Sequence, residues 1–178
     1  MQSQARYLSQ QPSSGLGEVG GIILQFSIRA VSMEDAEDVA ILAARLLGEL
    51  YPDLGNLYRV ETLLPVTRDL LDGPASVFGF IATDSSGDAV GLLMLNQCKA
   101  IYAFGSFGEI SELYIDPRCR SEGLGKELLQ TGIEFARSRK WSMLEVGAPD
   151  VPRWQKTVDF YVRNGFEIVG PRLYLPLT

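Results

Sequence analysis

Residues 113–126 decide the predicted fold, and they read Leu-Tyr-Ile-Asp-Pro-Arg-Cys-Arg-Ser-Glu-Gly-Leu-Gly-Lys. An apolar, strand-like run ends at Ile115, a polar loop follows, and Gly123 and Gly125 lie at the start of an amphipathic helix. Glycines at such a place let the backbone approach a ligand closely and adopt positive φ values. The N–H groups of a first helical turn have no partner inside the helix, and the helix dipole favours an anion there. The stretch therefore predicts a site suited to a pyrophosphate.

Basic side chains surround this turn, whereas two other phosphate motifs do not fit it. Arg118, Arg120 and Lys126 add positive charge to an otherwise acidic chain. A P-loop requires glycine where Arg120 stands and Ser or Thr where Glu127 stands. A dinucleotide-binding fingerprint requires a third glycine where Leu128 stands. On the glycines alone, a helix that merely begins with glycine and binds nothing is the alternative.

The segments around this stretch alternate between strand-like and helix-like patterns. Ser32, with Asp35 three residues later, is typical of a helix start, and Tyr51-Pro52-Asp53 ends that helix. Pro65 is expected to break or delay a second helix. The order β-α-α-β-β-β-α-β-α-β-β indicates an α+β (mixed α/β) fold with a mixed sheet. Strands are predicted at about 22–31, 76–83, 89–98, 107–115, 141–147, 166–169 and 173–177, and helices at about 33–50, 57–71, 123–139 and 155–164.

Length and composition indicate a single domain. The chain has 178 residues, which suits one globular domain. Residues 1–21 are rich in Gln, Ser and Gly, and this composition predicts a flexible tail ahead of a domain at residues 22–178. No internal repeat is visible in the sequence. We therefore expect one core and one functional site.

Charge and residue types exclude several classes of function. The net charge of −6, from 16 basic and 22 acidic residues, argues against nucleic acid as a partner. The absence of histidine removes Ser-His-Asp and Cys-His mechanisms and most zinc sites, so we expect no metal site. Two cysteines, Cys98 and Cys119, are too few for a disulfide framework. No run approaches the roughly 18 apolar residues of a membrane span, and the N-terminus lacks a secretory pattern, so we expect a cytoplasmic protein without a membrane partner.

Two motifs together resemble the GNAT superfamily of N-acetyltransferases. The first is Arg120-x-x-Gly123-x-Gly125 after a strand, and it matches the family pattern Arg/Gln-x-x-Gly-x-Gly/Ala before a helix. The second lies about forty residues later, where Phe160-Tyr161 precedes a helix end and Gly-Phe. The motifs are independent of each other, and the resemblance covers roughly residues 26–177.

The resemblance implies a cofactor and a place for it. A single domain would carry a central mixed sheet that splays at the cofactor site and is flanked by helices, with acetyl-CoA as cofactor. The pyrophosphate would lie on backbone N–H groups of the loop, and the pantetheine arm would pair with the preceding strand as an added strand does. Trp154 stands where the family often has a cofactor-contacting Asn, and it either stacks, lines the acceptor pocket or packs. The expected cofactor-binding residues are Leu113, Tyr114, Ile115, Arg120, Ser121, Glu122, Gly123, Leu124, Gly125, Lys126 and Trp154.

Acid and base candidates follow from the chemistry of acyl transfer. An attacking amine must be neutral and the departing thiolate must gain a proton. The family places a tyrosine near the sulfur, so the resemblance implies Tyr161 as the acid, with a packed core tyrosine as the alternative. Glu109 and Glu112 are candidate bases, although many members use a chain of waters. Strand alternation places these two glutamates on opposite faces, unless a bulge shifts the phase.

The leading expectation is an enzyme that moves acetyl from acetyl-CoA to a small-molecule or peptide amine by direct attack. An acyl-cysteine route through Cys119 is conceivable but has no evident partner base. Acceptor choice is expected to come from the loops near residues 51–61 and 99–106. A non-catalytic acyl-CoA sensor is the alternative, since it would keep the glycine loop without Tyr161 or the glutamates. The resemblance also implies a possible homodimer.

Overall fold

The computed structural model describes residues 13–19, 22–73, 76–170 and 172–176. The chain divides into two compact units, residues 1–145 and residues 146–178. In chain order the described residues form β1 (Ser13–Val19), β2 (Ile22–Ala30), α1 (Ala36–Leu50), α2 (Val60–Asp72), β3 (Val77–Thr83), β4 (Ala89–Ala100), β5 (Gly105–Ile115), α3 (Leu124–Ser138), β6 (Leu144–Val146) and α4 (Gln155–Arg163).

One mixed sheet organises the fold, and its strands lie in the order β1-β2-β3-β4-β5-β6. Each strand from β1 to β4 is antiparallel to the next. The last pair differs, since Ser142 donates its N–H to the Ser106 carbonyl at 3.0 Å and Gly108 donates to the Met143 carbonyl at 3.0 Å. Both strands advance in the same direction through these bonds, so they run parallel. The predicted mixed α/β fold with a mixed sheet is confirmed.

Strand β6 is much shorter than its parallel neighbour β5. Strand β5 has eleven residues and β6 has three, and their first hydrogen bonds lie near the start of β5. The end of β5 therefore extends past β6. Gly108 allows the close approach at the paired end, because a side chain there would meet the Trp141 ring at 2.4 Å.

Apolar side chains fill the space on both faces of the sheet. On one face, residues of α1, β3, β4 and β5 form a buried cluster of Val39, Leu42, Ile81, Leu92, Met94 and Tyr114. On the other face α3 lies close to β4, because a side chain at Gly132 would meet Leu93 at 2.5 Å. The rings of Phe78, Phe135 and Trp141 also contact one another, with centroids 4.8–5.9 Å apart. The sheet therefore lies between helices, and this packing holds its strands in place.

The start of α1 is fixed by a hydrogen-bonded carboxylate. Asp35 accepts the Ser32 backbone N–H at 2.7 Å and the Ser32 hydroxyl at 2.9 Å. Arg29 at the end of β2 donates twice to the same carboxylate, at 2.7 and 2.6 Å. The predicted Ser32–Asp35 capping box is present, and its carboxylate also ties the helix to the sheet.

Two sequence predictions about the termini need correction. Residues 13–19 lie inside the predicted flexible tail of residues 1–21, yet they form β1 and pair with β2 in register from Ser13–Ile28 to Val19–Ile22. Glycine and serine are poor strand formers, so composition hid a strand that pairing stabilises. The predicted strands at residues 166–169 and 173–177 are absent from the described residues, and Leu177 lies outside them. Apolar alternation alone does not make a strand, because a strand also requires a hydrogen-bonding neighbour.

The third correction concerns α2, which continues through Pro65 from Val60 to Asp72 without a break. A proline inside a helix removes one backbone hydrogen bond and crowds the preceding turn. Helix α2 packs along α1, and most helical stability in proteins comes from such packing. The single lost hydrogen bond is therefore offset.

Among the residues that the structure describes, no helix has both the length and the apolar character to cross a membrane.

We expect Asp35→Asn to lower the free energy of unfolding at pH 7 by about 1–3 kcal/mol, since it weakens hydrogen bonds to a buried charged acceptor. The Arg29 guanidinium, through its hydrogen bonds, lowers the pKa of Asp35 below the ordinary value of 3.8. A carboxyl whose folded pKa is depressed stabilises the fold above its unfolded pKa and loses that effect as the pH falls through the folded pKa. Urea unfolding at pH 7 and at pH 3 measures both effects.

The difference between wild type and variant should shrink toward pH 3. Asp38→Asn is the matched control, because Asp38 is exposed in the same first helical turn. A control loss as large as that of Asp35→Asn, or a difference independent of pH, would contradict this account of the helix start.

Candidate functional site

The loop between β5 and α3 has an unusual backbone. Asp116 caps a short 3₁₀ turn over residues 117–119 by accepting the Arg118 N–H at 3.0 Å. Ser121 then has φ = +69° and Gly123 has φ = +88°, and α3 begins at Leu124. Left-handed conformations at alternate residues turn successive N–H groups toward one side and form a concave anion-binding surface. Gly123 thus has the positive φ that the glycine spacing predicted, whereas Gly125 lies in the first turn of α3 and the second left-handed residue is Ser121.

A row of backbone N–H groups in this loop has no partner. Within the described part of the chain, residues 121–125 donate no backbone N–H to a protein acceptor. The helix takes up its own bonds only from Lys126, whose N–H donates to the Gly123 carbonyl at 2.9 Å. The Arg120 N–H is engaged in the turn by the Pro117 carbonyl at 3.4 Å, so the free row begins one residue later than the sequence predicted. These N–H groups lie at the positive end of the α3 dipole, where an anion is most favoured.

The basic side chains near the loop differ in what they are free to contact. Arg118 pairs with Asp116, with its Nε atom 3.0 Å from Oδ1. Arg120 pairs with Glu49, with Nη2 2.7 Å from Oε1. Lys126 is exposed at the first turn of α3 and forms no ion pair among the described residues. Lys126 is therefore the best placed of the three to contact a phosphate with its side chain.

The strand before the loop offers backbone groups to an extended ligand. Leu113, Tyr114 and Ile115 pair with Leu93, Leu92 and Gly91 of β4 on one side. On the other side this end of β5 extends past β6, as described above. An open strand edge next to an anion site fits a ligand that has both a diphosphate and a linear arm with amide groups. The expected pantetheine-binding residues thus lie where such an arm could pair.

A β-bulge brings the two candidate bases to the same face. Met94 of β4 pairs with Glu112, but the next residue, Leu95, pairs with Ile110, so Ser111 is left over. Glu109 pairs with Asn96, two residues beyond Met94. Residues two apart on a strand share a face, and so do paired residues. Glu109 and Glu112 therefore lie on the same face, because the bulge shifts the phase that simple alternation gives.

The environment of Glu112 changes its acidity. Burial raises the pKa of this carboxyl, the hydrogen bond from the Ser111 side chain lowers it, and the negative charge of Glu109 raises it further. The net pKa lies above the ordinary value of 4.5. A carboxylate with a raised pKa holds a proton more strongly, so it is a more effective base near neutral pH. The sequence left both arrangements of the two glutamates open, and the bulge decides between them, whereas the burial of Glu112 has no clear sequence signal.

Tyr161 belongs to the second unit, on α4. Its side chain is buried, and its ring lies 5.3 Å from the ring centroids of both Phe160 and Phe166. Burial raises the pKa of the Tyr161 hydroxyl, so the phenol keeps its proton at neutral pH. Gly165, with φ = +91°, ends the helix and donates to the Val162 carbonyl at 3.0 Å, as the Gly-Phe motif predicted. The roles of Tyr161 and of Trp154, which precedes α4 and lies under the Arg153 guanidinium, stay predictions.

Cys119 has an environment that disfavours a nucleophile. The residue is buried within the 3₁₀ turn. Burial first, and then the negative charge of Glu122, raise the pKa of its thiol. The thiolate is the reactive form, so a raised pKa makes the covalent acyl-cysteine route unfavourable.

The loops expected to select the acceptor carry exposed aromatic side chains. Tyr51 and Tyr58, on either side of the α1–α2 turn, have ring centroids 5.9 Å apart. At the β4–β5 turn, Tyr102 donates its hydroxyl to Glu145 at 3.0 Å, and Phe104 is 98% exposed. That these two loops select the acceptor stays a prediction.

Comparison with known proteins agrees with this geometry. A family model described as the acetyltransferase (GNAT) family matches residues 44–166. An N-acetyltransferase of Methanocaldococcus jannaschii, itself uncharacterized, is 28% identical over 157 residues, which are 84% of this chain and 64% of that protein. This chain thus spans less than two thirds of that relative's length. A peptidyl-lysine N-acetyltransferase of Salmonella typhimurium is 24% identical over 148 residues, which are 83% of this chain and 87% of that protein.

Solved structures show the same fold at low sequence identity. An aminoglycoside acetyltransferase from an uncultured soil metagenomic sample has a TM-score of 0.70 and 18% identity, and the match covers 86% of this chain and 99% of that one. A ribosomal-protein-alanine N-acetyltransferase of Brucella melitensis has a TM-score of 0.67 and 20% identity, with 85% and 99% of the two chains covered. At such identities the likeness concerns the fold.

We expect Gly123→Ala to weaken binding of free coenzyme A about ten-fold or more. An alanine at φ = +88° is strained by about 1–3 kcal/mol, so the loop would leave the conformation that aligns its N–H groups. Space is not the cause, because an added Cβ meets no atom within 4 Å. Titration calorimetry with coenzyme A measures the effect.

Gly48→Ala is the matched control, since its Cβ also meets no atom within 4 Å and it lies inside α1 at an ordinary helical φ. We expect this control to bind coenzyme A as the wild type does. Equal affinity of Gly123→Ala and wild type would show that the free N–H groups are not the diphosphate site.

Proposed function

The chain belongs to the acetyltransferase (GNAT) family and is an acyltransferase, and we propose that it transfers the acetyl group of acetyl-CoA directly to a primary amine. The observation that carries this proposal is the row of unpartnered N–H groups at residues 121–125, next to the open end of β5. A diphosphate and an amide-containing arm fit these two features together. Residues 113–115 would pair with the arm, residues 121–125 would hold the diphosphate, and Lys126 would add charge.

The chemistry divides between the cofactor and the chain. When bound, acetyl-CoA supplies an activated thioester. Glu112 accepts a proton from the attacking amine; burial raises its pKa, and the charge of Glu109 on the same face raises it further. Tyr161 donates its phenolic proton to the departing sulfur and regains it from solvent. The phenol is protonated at neutral pH, as a donor requires, although burial raises its pKa and so makes the proton harder to give up.

The acceptor is proposed only by class. Relatives and structural neighbours include a peptidyl-lysine N-acetyltransferase, a ribosomal-protein-alanine N-acetyltransferase and an aminoglycoside acetyltransferase, and these names all point to amine acceptors. The net charge of −6 weakly favours a cationic acceptor over an anionic one. A cytoplasmic location, expected from the sequence patterns, and a homodimer, implied by the resemblance, stay predictions.

A coenzyme A release assay tests the proposal most directly. It uses acetyl-CoA and longer acyl donors against small amines, amino acids, aminoglycosides, and peptides with either a lysine or a free N-terminal alanine. We expect turnover with acetyl-CoA and at least one of these amines. Binding of coenzyme A without turnover of any amine would support the non-catalytic sensor instead.

We expect Tyr161→Phe to lower kcat about 10²–10⁴-fold, the range typical of a positioned proton donor, while the affinity for coenzyme A changes less than about three-fold. The variant keeps the ring that packs against Phe160 and Phe166 and removes only the hydroxyl. Steady-state kinetics and calorimetry measure the two quantities. Tyr174→Phe is the matched control, because Tyr174 is 87% exposed. An unchanged kcat in Tyr161→Phe would exclude this hydroxyl as the acid.

We expect Glu112→Gln and Glu109→Gln to act differently on the pH profile of kcat. Glu112→Gln removes the base and should lower kcat about 10²–10⁴-fold. Glu109→Gln removes a charge that raises the Glu112 pKa, so its acid limb should move to lower pH with most of the activity kept. Profiles measured at saturating acetyl-CoA and amine compare the two variants. A large loss in Glu109→Gln with little change in Glu112→Gln would reverse the assigned roles.

A further inference from the structure

Two residues of α1 form ion pairs with the loop at residues 116–125, which we call the diphosphate loop. Arg45 and Glu49 are four residues apart, so they lie on the same face of the helix. The Arg45 Nη1 atom is 3.1 Å from Asp116 Oδ2, and the Glu49 Oε1 atom is 2.7 Å from Arg120 Nη2. One ion pair therefore lies at each end of residues 116–120. We call these two contacts the helix–loop ion pairs.

Arg120 is held at three points, and none of them is a ligand. Its Nε donates to the Ile115 carbonyl at 2.9 Å, its Nη2 donates to Glu49, and its guanidinium carbon lies 5.5 Å from the centre of the Tyr114 ring. A guanidinium with these contacts is held in one position, and its charge is already paired. The arginine of the sequence motif thus ties the end of β5 to α1, directly before the row of free N–H groups.

Asp116 has the corresponding place at the start of the loop. Its side chain is 8% exposed and accepts Arg118 Nε at 3.0 Å, Arg118 Nη2 at 3.2 Å and Arg45 Nη1 at 3.1 Å. These contacts, with the Arg118 hydrogen bond foremost, lower the pKa of Asp116, so it is ionised at neutral pH. Asp116 keeps Arg118 as a partner when Arg45 is removed, so Arg45 can be changed without leaving a buried charge alone.

The backbone beyond these ion pairs needs such support. Ser121 has φ = +69°, a conformation that a residue with a side chain rarely adopts. Residues in sparsely populated conformations persist only where the surrounding structure over-determines them. Here Arg120, the residue directly before Ser121, is fixed to three groups that belong to β5 and α1.

We propose that Arg45 and Glu49 of α1 are positioning residues that hold the diphosphate loop in its binding conformation through Asp116 and Arg120. This inference rests on the proposed function, because it concerns the same loop. Neither residue touches the diphosphate. Each raises the fraction of molecules whose N–H groups are already aligned, and a smaller fraction weakens the apparent affinity in proportion.

The direction of the change in coenzyme A affinity distinguishes a positioning role from an effect of charge alone. Glu49→Gln removes a negative charge close to Arg120 and the loop. If charge alone mattered, this change would strengthen binding of the anionic coenzyme A and make it more sensitive to salt. The positioning role requires the opposite, a weaker binding. The ion pair is partly exposed, with 33% of the Glu49 and 43% of the Arg120 side chain accessible, so the expected loss is moderate.

Calorimetry with free coenzyme A at low and high salt tests the proposal. We expect Kd to rise about three- to ten-fold in Glu49→Gln and in Arg120→Gln, and the double variant to be no worse than either single one. Arg120→Lys should not restore affinity, since lysine lacks the planar fork that makes these contacts. Arg45→Gln provides an independent variant with a rise in Kd in the same direction. The KM for acetyl-CoA should rise with kcat nearly unchanged.

Glu37→Gln is the matched control, because it makes the same charge change at an exposed position on α1. We expect it to leave Kd unchanged. Tighter or equal binding in Glu49→Gln, with wild-type binding intact, would overturn the inference alone. No binding of coenzyme A by the wild type would overturn the proposed function and the inference with it, so the two failures are distinguishable.

Discussion

The proposed site depends on one constraint, which is that the backbone N–H groups at residues 121–125 have no partner among the described residues, while the turn before them and the helix after them are hydrogen-bonded. The 3₁₀ turn at residues 117–119 uses the preceding N–H groups, and α3 uses those from Lys126 onward. Unpaired backbone donors are costly once water is excluded, so such a row persists where solvent or a ligand supplies acceptors. Ser121 and Gly123 have left-handed backbone conformations within this row, and left-handed residues are a feature of backbone anion-binding turns.

Strand β5 connects this constraint to the acid–base chemistry. Its full antiparallel pairing with β4 fixes its position, whereas its parallel pairing with β6 near its start leaves the far end accessible. The bulge at Ser111 lies between these regions and turns both glutamates to the same face. A bulge costs a regular pair of the ladder, so its place beside two carboxylates, one of them with a raised pKa, is more consistent with function than with stability.

Local patterns predicted the elements that local physics controls. The glycine loop, the capping box at Ser32–Asp35 and the helix end at Gly165 each depend on residues within a few positions of one another, and the structure has all three. Predictions failed where the deciding partner is distant in sequence or absent. Strand β1 exists through its pairing with β2, the segment after Gly165 carries strand-like alternation without forming a strand, and α2 tolerates Pro65 because it packs on α1. The Ser111 bulge depends on the register with β4, which no periodicity in β5 alone can reveal.

The ion pairs between α1 and the loop also change how Arg120 of the glycine motif is interpreted. From the sequence alone, Arg120 is expected to bind a phosphate with its positive charge. Its guanidinium is instead bound to Glu49, 71 residues earlier, and to the end of β5. A charge that is already paired adds little to the attraction of an anion, whereas a fixed backbone adds affinity by reducing the entropy that binding must remove. In the proposed site, a diphosphate would therefore be held chiefly by neutral N–H donors in a chain of net charge −6, and the paired charges around the loop would serve mainly to keep those donors in place.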